Sequence, residues 1–294
     1  MSRKEFMVRS GAAAVAAVST SAYGAVNPNE PWQIGCYIRP WNQFEHNVAL
    51  DAIAEAGFKY TGLLTTKPNN QFGINVNTTP DEAAAIGEEC RRRGLAVPSA
   101  YGGDILLESV ETGIAGMRRL IDNCAAAQVA NLMMGGVGTP ELAEVYYKAI
   151  GESCGYAEDK GIGISVKPHG GTNATGPQCR ALLEKVNKKN FRLWYDPGNI
   201  YYYSDGTLNP VDDAATVDGL VVGMSVKDYR EPKTVDVTPG TGMVDFAGVL
   251  ARLKQGGFTS GPLIVECLQP GTESELLAEA KKAFALVTSL ASRN

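Results

Sequence analysis

The chain has 294 residues, a formal net charge of −5, 44% hydrophobic residues and 20% charged residues, which is the make-up of an ordinary globular protein with room for one α/β barrel or two average domains. Lys and Arg form no long basic stripe, the strongest run being Arg91-Arg92-Arg93, so nucleic acid and anionic membrane are poor partners for it. Nothing after residue 26 reaches the roughly 18 uninterrupted apolar residues of a membrane span, and the six cysteines, at 36, 90, 124, 154, 179 and 267, show no C-x-x-C spacing that would mark a structural zinc site.

Residues 1–24 read as an export signal. Arg3, Lys4 and Arg9 make the start basic, Gly11 to Val18 is a weakly apolar, Ala-rich core, and Ala22-Tyr23-Gly24 supplies small residues for cleavage after Gly24. Ser2-Arg3-Lys4-Glu5-Phe6-Met7 resembles a twin-arginine motif with Lys4 in the second arginine's place. The expectation is export to the periplasm; a cytoplasmic protein with an N-terminal tail is the alternative.

From Trp32 to about residue 290, strand and helix patterns alternate. Strands are expected over 33–38, 60–64, 95–100, 130–135, 162–167, 191–196, 220–227 and 262–267. Helices are expected over 48–56, 79–93, 139–159, 245–254 and 273–291. Thr79-Pro80 and Thr139-Pro140 give N-cap and first-turn signatures, and Gly94 closes the second helix. Segment 201–219 reads as the longest connection, placed to cover a site. Eight strands alternating with helices predict a single (β/α)8 TIM barrel over 32–290. An open doubly wound sheet is the alternative, but the first strand runs into Ile38-Arg39-Pro40-Trp41 rather than a Gly-rich phosphate loop.

Four late strands end on charge: GIGISVKPHGG (161–171), FRLWYDPGN (191–199), LVVGMSVKDY (220–229) and PLIVECL (262–268). Because side chains alternate faces, Lys167 shares a face with Gly163 and Ser165, Asp196 with Arg192 and Trp194, Lys227 with Gly223 and Ser225, and Glu266 with Ile264. Those polar groups are expected to converge at the C-terminal mouth, with His169 just beyond on a loop whose Gly170 and Gly171 would let backbone approach a ligand. Each also has a structural reading: Lys167–Glu266 as a buried ion pair, Asp196 as a turn cap, Lys227-Asp228 as a loop pair, and His169 as a satisfied loop histidine.

On these residues the chain resembles the sugar phosphate isomerase/epimerase superfamily of xylose-isomerase-like barrels. The resemblance is carried by Ala54-Glu55-Ala56-Gly57-Phe58, Lys167-Pro168-His169-Gly170-Gly171, Asp196-Pro197-Gly198-Asn199, Lys227-Asp228, Gly240 to Phe246, and Ile264-Val265-Glu266. It implies a divalent cation (Mn, Mg, Co or Zn) at the barrel mouth, held by a Glu after strand five, an Asp after strand six, a His in strand seven and a Glu after strand eight. Asp196 and Glu266 match that pattern, but Lys167 stands for the first Glu and Ser225 for the His.

The expectation is therefore a carbohydrate isomerase, epimerase or lyase-like enzyme that moves a proton beside a carbonyl of a sugar or keto-sugar without a tightly bound metal. Glu266, Lys167 and His169 would be catalytic, and Asp196, Asn199, Lys227, Asp228, Trp41 and Trp194 would bind substrate. A Lys167 beside Lys227 is expected to have a lowered pKa, which also leaves Schiff-base chemistry open. If a metal binds, Asp196 and Glu266 would hold it. The competing reading is a non-catalytic carbohydrate-binding barrel that has lost its metal site, with Tyr201–Tyr203 offering stacking surface in either case. A nuclease of the same barrel class would need a His-rich zinc cluster and a basic face, and the chain has two histidines. A homo-oligomer is left open.

Overall fold

Short apolar strands buried on both faces need helices outside and a closed sheet inside. The computed structural model, which describes residues 31–64 and 73–292, has that closure. Strands β1 (Trp32–Tyr37), β2 (Tyr60–Leu63), β3 (Ala96–Tyr101), β4 (Asn131–Met134), β5 (Gly163–Val166), β6 (Phe191–Tyr195), β7 (Val221–Val226) and β8 (Gly261–Val265) pair in parallel in sequence order, and β8 returns to β1. The chain is a single (β/α)8 barrel. The expected export signal lies outside the described residues.

The helices are α1 (His46–Glu55), α2 (Pro80–Arg92), α3 (Val110–Ala127), α4 (Pro140–Asp159), α5 (Gly176–Val186), α6 (Pro197–Tyr203), α7 (Pro210–Ala214), α8 (Phe246–Gln255) and α9 (Glu273–Ala291). Capping boxes start several of them. Thr79 accepts from Glu82 N at 3.3 Å while the Glu82 carboxylate takes the Thr79 N–H at 2.8 Å, and Thr272 and Glu275 repeat the exchange. The segment 201–219, expected as an open loop, is largely helical: α6, α7 and a 3-10 turn at Ala215–Val217 occupy it. The cause lies at Asp196, whose Oδ1 accepts the Asn199 N–H at 2.9 Å and caps α6, with Pro197 at its first position. None of the described helices is long and apolar enough to cross a membrane.

Inside the barrel, Tyr37, Leu64, Met133, Trp194 and Ile264 form a layer of their own, separate from the large cluster between sheet and helices. Tyr37 donates to Ser99 Oγ at 3.1 Å, and Trp194 Nε1 donates to Ser225 Oγ at 3.2 Å. Gly223 makes room for that indole, since a Cβ there would lie 2.4 Å from the Trp194 ring. This plug supports the charged residues above it. Lys167, Asp196, Lys227 and Glu266 are each the first residue after their strand, which sets all four at one end of adjacent staves.

Candidate active site at the barrel mouth

The four strand-end charges meet around Glu266. Its Oε2 accepts from Lys167 Nζ at 2.7 Å and Ser225 Oγ at 2.7 Å; its Oε1 accepts from Lys227 Nζ at 2.9 Å and Arg39 Nη1 at 3.0 Å. Lys167 Nζ also lies 2.7 Å from Asp196 Oδ2, a close ion-pair contact whose angle is not that of a hydrogen bond. Lys227 Nζ is 3.7 Å from the same oxygen and donates to Asn199 Oδ1 at 2.8 Å. Lys167, Asp196, Lys227 and Glu266 are all buried.

Burial by itself would raise the Glu266 carboxyl, but Lys167, Lys227 and Arg39 hold it well below the usual carboxylate range. Burial would lower Lys167, but Asp196 and Glu266 raise it above an ordinary lysine. The expected lowered pKa of Lys167 is thus reversed. Two carboxylates at 2.7 Å outweigh one neighbouring ammonium, so Lys167 stays protonated and is a poor nucleophile for Schiff-base formation.

Above this cluster stands an aromatic wall. The His169 ring lies 6.3 Å from that of Tyr101 and 5.7 Å from that of Tyr203, centroid to centroid. Gly170, at φ 83°, does not face a ligand: a Cβ there would come within 2.6 Å of the Tyr203 ring, so this glycine serves the close approach of α6. Asn173 braces the loop from behind, its Nδ2 donating to Lys167 O at 2.7 Å and Gly135 O at 2.9 Å while its backbone carbonyl accepts the His169 N–H at 3.0 Å. Desolvation, then Lys167 and Lys227, lower the His169 imidazole to about 4. His169 is an exposed residue, and water there softens desolvation, so the two ammoniums are the more durable cause. Burial pushes the Tyr101 phenol up to about 12. Near neutral pH the mouth therefore presents a neutral imidazole and a protonated phenol over a lattice of fixed charges.

A titration of His169 followed by NMR should find its midpoint near 4, against about 6.5 for an ordinary histidine. The folded value lies below the unfolded one. The stabilising effect of the neutral ring is therefore complete above about pH 6.5 and is lost as pH falls toward the folded value. In His169→Asn that part of the acid slope should vanish; an unaltered slope would show that the imidazole is not held neutral by its neighbours.

Several residues expected to touch substrate are already committed elsewhere. Trp41 and Trp194 are 1% and 0% exposed, so neither offers a stacking face; Trp194 belongs to the plug beneath the mouth. Asp228 is also fully buried. Its Oδ1 accepts from the backbone N–H groups of Tyr229 (2.8 Å) and Val244 (3.0 Å), and its Oδ2 from those of Gly240 (2.9 Å) and Gly242 (2.8 Å). It rivets the loop between β7 and α8 and has no lone pair directed at the mouth. Asn199 spends its Oδ1 on Lys227 and its Nδ2 on Pro168 O at 2.6 Å. Tyr203, expected as stacking surface, does stand at the mouth beside His169, whereas Arg39 and Tyr101 were not anticipated from sequence. Arg39 lies in the connection after β1 and gives no local sign of reaching Glu266; Tyr101, the last residue of β3, sits where a strand-end reading extended to β3 would have found it.

The position expected for a divalent cation can be tested against this donor set. Among the described residues, no group of three or more His, Cys, Asp and Glu converges to hold an ion. The Lys167 ammonium lies between Asp196 Oδ2 and Glu266 Oε2, and the other Glu266 oxygen is taken by Lys227 and Arg39. Carboxylates saturated by three cations do not fit a further dication.

A closed parallel barrel with convergent polar side chains at its C-terminal mouth defines the enzyme-bearing class of TIM barrels. The sequence profile of the xylose isomerase-like TIM barrel family matches residues 50–287, and the chain belongs to that family. Among solved structures it is similar to a D-psicose 3-epimerase crystallised in the presence of D-fructose, at 16% identity and a TM-score of 0.68, covering 88% of this chain and 99% of that one. It is similar to the D-allulose 3-epimerase of Methylomonas sp. in complex with D-allulose, at 18% identity, TM-score 0.66, covering 88% and 97%. It is also similar to a xylose isomerase domain protein of Planctomyces limnophilus, at 19% identity, TM-score 0.65, covering 82% and 91%. These likenesses establish the fold. No curated protein matches the sequence.

Proposed function

We propose that the chain acts on carbohydrate as an isomerase/epimerase-like barrel, moving a proton beside a carbonyl of a sugar or keto-sugar without a divalent metal. The observation that carries this reading is the Lys167 ammonium 2.7 Å from both Asp196 and Glu266. A fixed cation there can donate to a carbonyl oxygen and stabilise the negative charge that develops on it as the neighbouring carbon loses its proton. Glu266, held ionised by three cations, serves as the anchor of those cations and is a weak base. His169, neutral near neutral pH and exposed where Glu266 is buried and fully paired, is the group placed to carry the proton. The sugar epimerases with the same fold support a carbohydrate substrate, and residues 1–24 support export to the periplasm.

A second reading has its own supporting observation. Both Glu266 oxygens are saturated by four donors, as suits a barrel that binds carbohydrate and does no chemistry. Incubating EDTA-treated protein with keto-sugars in deuterium oxide separates the two. Turnover predicts exchange-labelled sugar that is insensitive to chelator and to added Mn²⁺ and is lost in His169→Asn. Sugar binding with no label in wild type would favour the binding barrel, and exchange that requires Mn²⁺ would end the metal-free reading.

A further inference from the structure

Over the described residues, the charges gathered around Glu266 beneath the rim do not balance. Lys167, Lys227 and Arg39 bring three positive charges against the two of Asp196 and Glu266. The nearby Asp228 is enclosed by backbone amides and makes no ion pair with them. The surplus emerges at Arg39. One guanidinium nitrogen holds Glu266; the other meets Asp236 Oδ1 at 3.2 Å, where the Asp236 side chain is 58% exposed. A rim pair of that kind contributes little in water and is readily exchanged. The charges acting on His169 lean the same way: Lys167, Lys227 and Arg39 lower its pKa, and Glu266 alone raises it. This positive field sits in a chain whose net charge is −5, so it is a local, focused feature.

We propose that the mouth takes an anionic carbohydrate, a sugar acid whose single carboxylate replaces Asp236 on Arg39. The planar guanidinium suits a carboxylate in geometry. A surplus of one matches a monoanion, whereas a phosphate monoester carries about −1.5 to −2 at pH 7 and would overshoot it. A neutral sugar would leave Arg39 with Asp236 and draw nothing from the field. This inference rests on the carbohydrate reading above and names its substrate class.

Calorimetric titration of the full chain with matched pairs tests it: D-glucuronate against D-glucose, D-tagaturonate against D-tagatose, with D-fructose 6-phosphate as the phosphate arm. At least one acid should bind about tenfold or more tighter than its neutral partner at low salt, with the advantage shrinking toward 0.15 M as screening grows. Asp236→Asn, an exposed change that leaves the buried cluster intact, should tighten the acid by roughly three- to tenfold and leave the neutral sugar unchanged. Neutral sugars binding as tightly as the acids, or Asp236→Asn without effect on the acid, would overturn the proposal while sparing the carbohydrate reading. Tightest binding by the phosphate would replace the carboxylate with a dianion. Binding by none of the five would sink both.

Discussion

Lys167→Met should lose about 3–5 kcal/mol of stability at pH 7.5, the range for removing one partner of a buried ion pair. Methionine keeps the unbranched stem as far as Cε and removes only the Nζ position, so the loss reports chiefly the ammonium. Without the ammonium, Asp196 Oδ2 and Glu266 Oε2 face each other across the gap that Lys167 Nζ now bridges at 2.7 Å on each side. The pH dependence follows from the same contacts. In the wild type Glu266 titrates well below the usual carboxylate range, so its contribution is complete above about pH 4.3, the unfolded value, and disappears only as pH falls through the lower folded value. In the variant the Glu266 carboxyl, with one of its three cations gone, should take up its proton at higher pH than in the wild type. The gap between the two proteins should therefore narrow as pH falls from 7.5 to 5, and adding Glu266→Gln to Lys167→Met should recover part of the loss. Denaturant midpoints at both pH values measure this. Equal midpoints at pH 7.5 would mean that the cluster is not the electrostatic unit its distances describe.

Asp228→Ala should cost about 2–4 kcal/mol, because four backbone N–H groups lose their acceptor at once, those of Tyr229 and Val244 in a buried setting and those of Gly240 and Gly242 nearer the surface. Asn should rescue only half the site, since its amide NH₂ would confront two of those donors. The damage should be local: limited proteolysis within 229–245 should accelerate while the circular dichroism of the barrel persists. An Asp228→Ala protein that resists protease like the wild type would return Asp228 to the pool of groups free to meet a ligand.

The barrel was legible because its signal is repetitive. Apolar runs separated by capped helices recur with little else to interpret, and strand alternation alone placed Lys167, Asp196, Lys227 and Glu266 on inner faces. Alternation also held a warning about Asp228: adjacent to Lys227, it must point the other way, and it does so into the loop. The two tryptophans show a different limit. Periodicity puts Trp194 inside the barrel but says nothing of depth, and one layer below the mouth its indole is part of the plug. Arg39 was out of reach for a further reason, since its partner Glu266 is 227 positions away and only barrel closure between β1 and β8 brings them together. The helix α6 was hidden by its own composition: three successive tyrosines read as loop aromatics, while Asp196, which starts it, was read as a site residue and a turn cap. It is both a helix cap and a partner of Lys167.

The tethered ammonium at the centre of the mouth also changes what the protein asks of its surroundings. A charge carried on a side chain cannot be chelated, diluted away or swapped for a competing ion, and every copy leaves the ribosome with it already installed. On the metal-free function proposed above, such a molecule would be indifferent to the supply of trace elements, and only the loss or gain of a proton would switch its centre off.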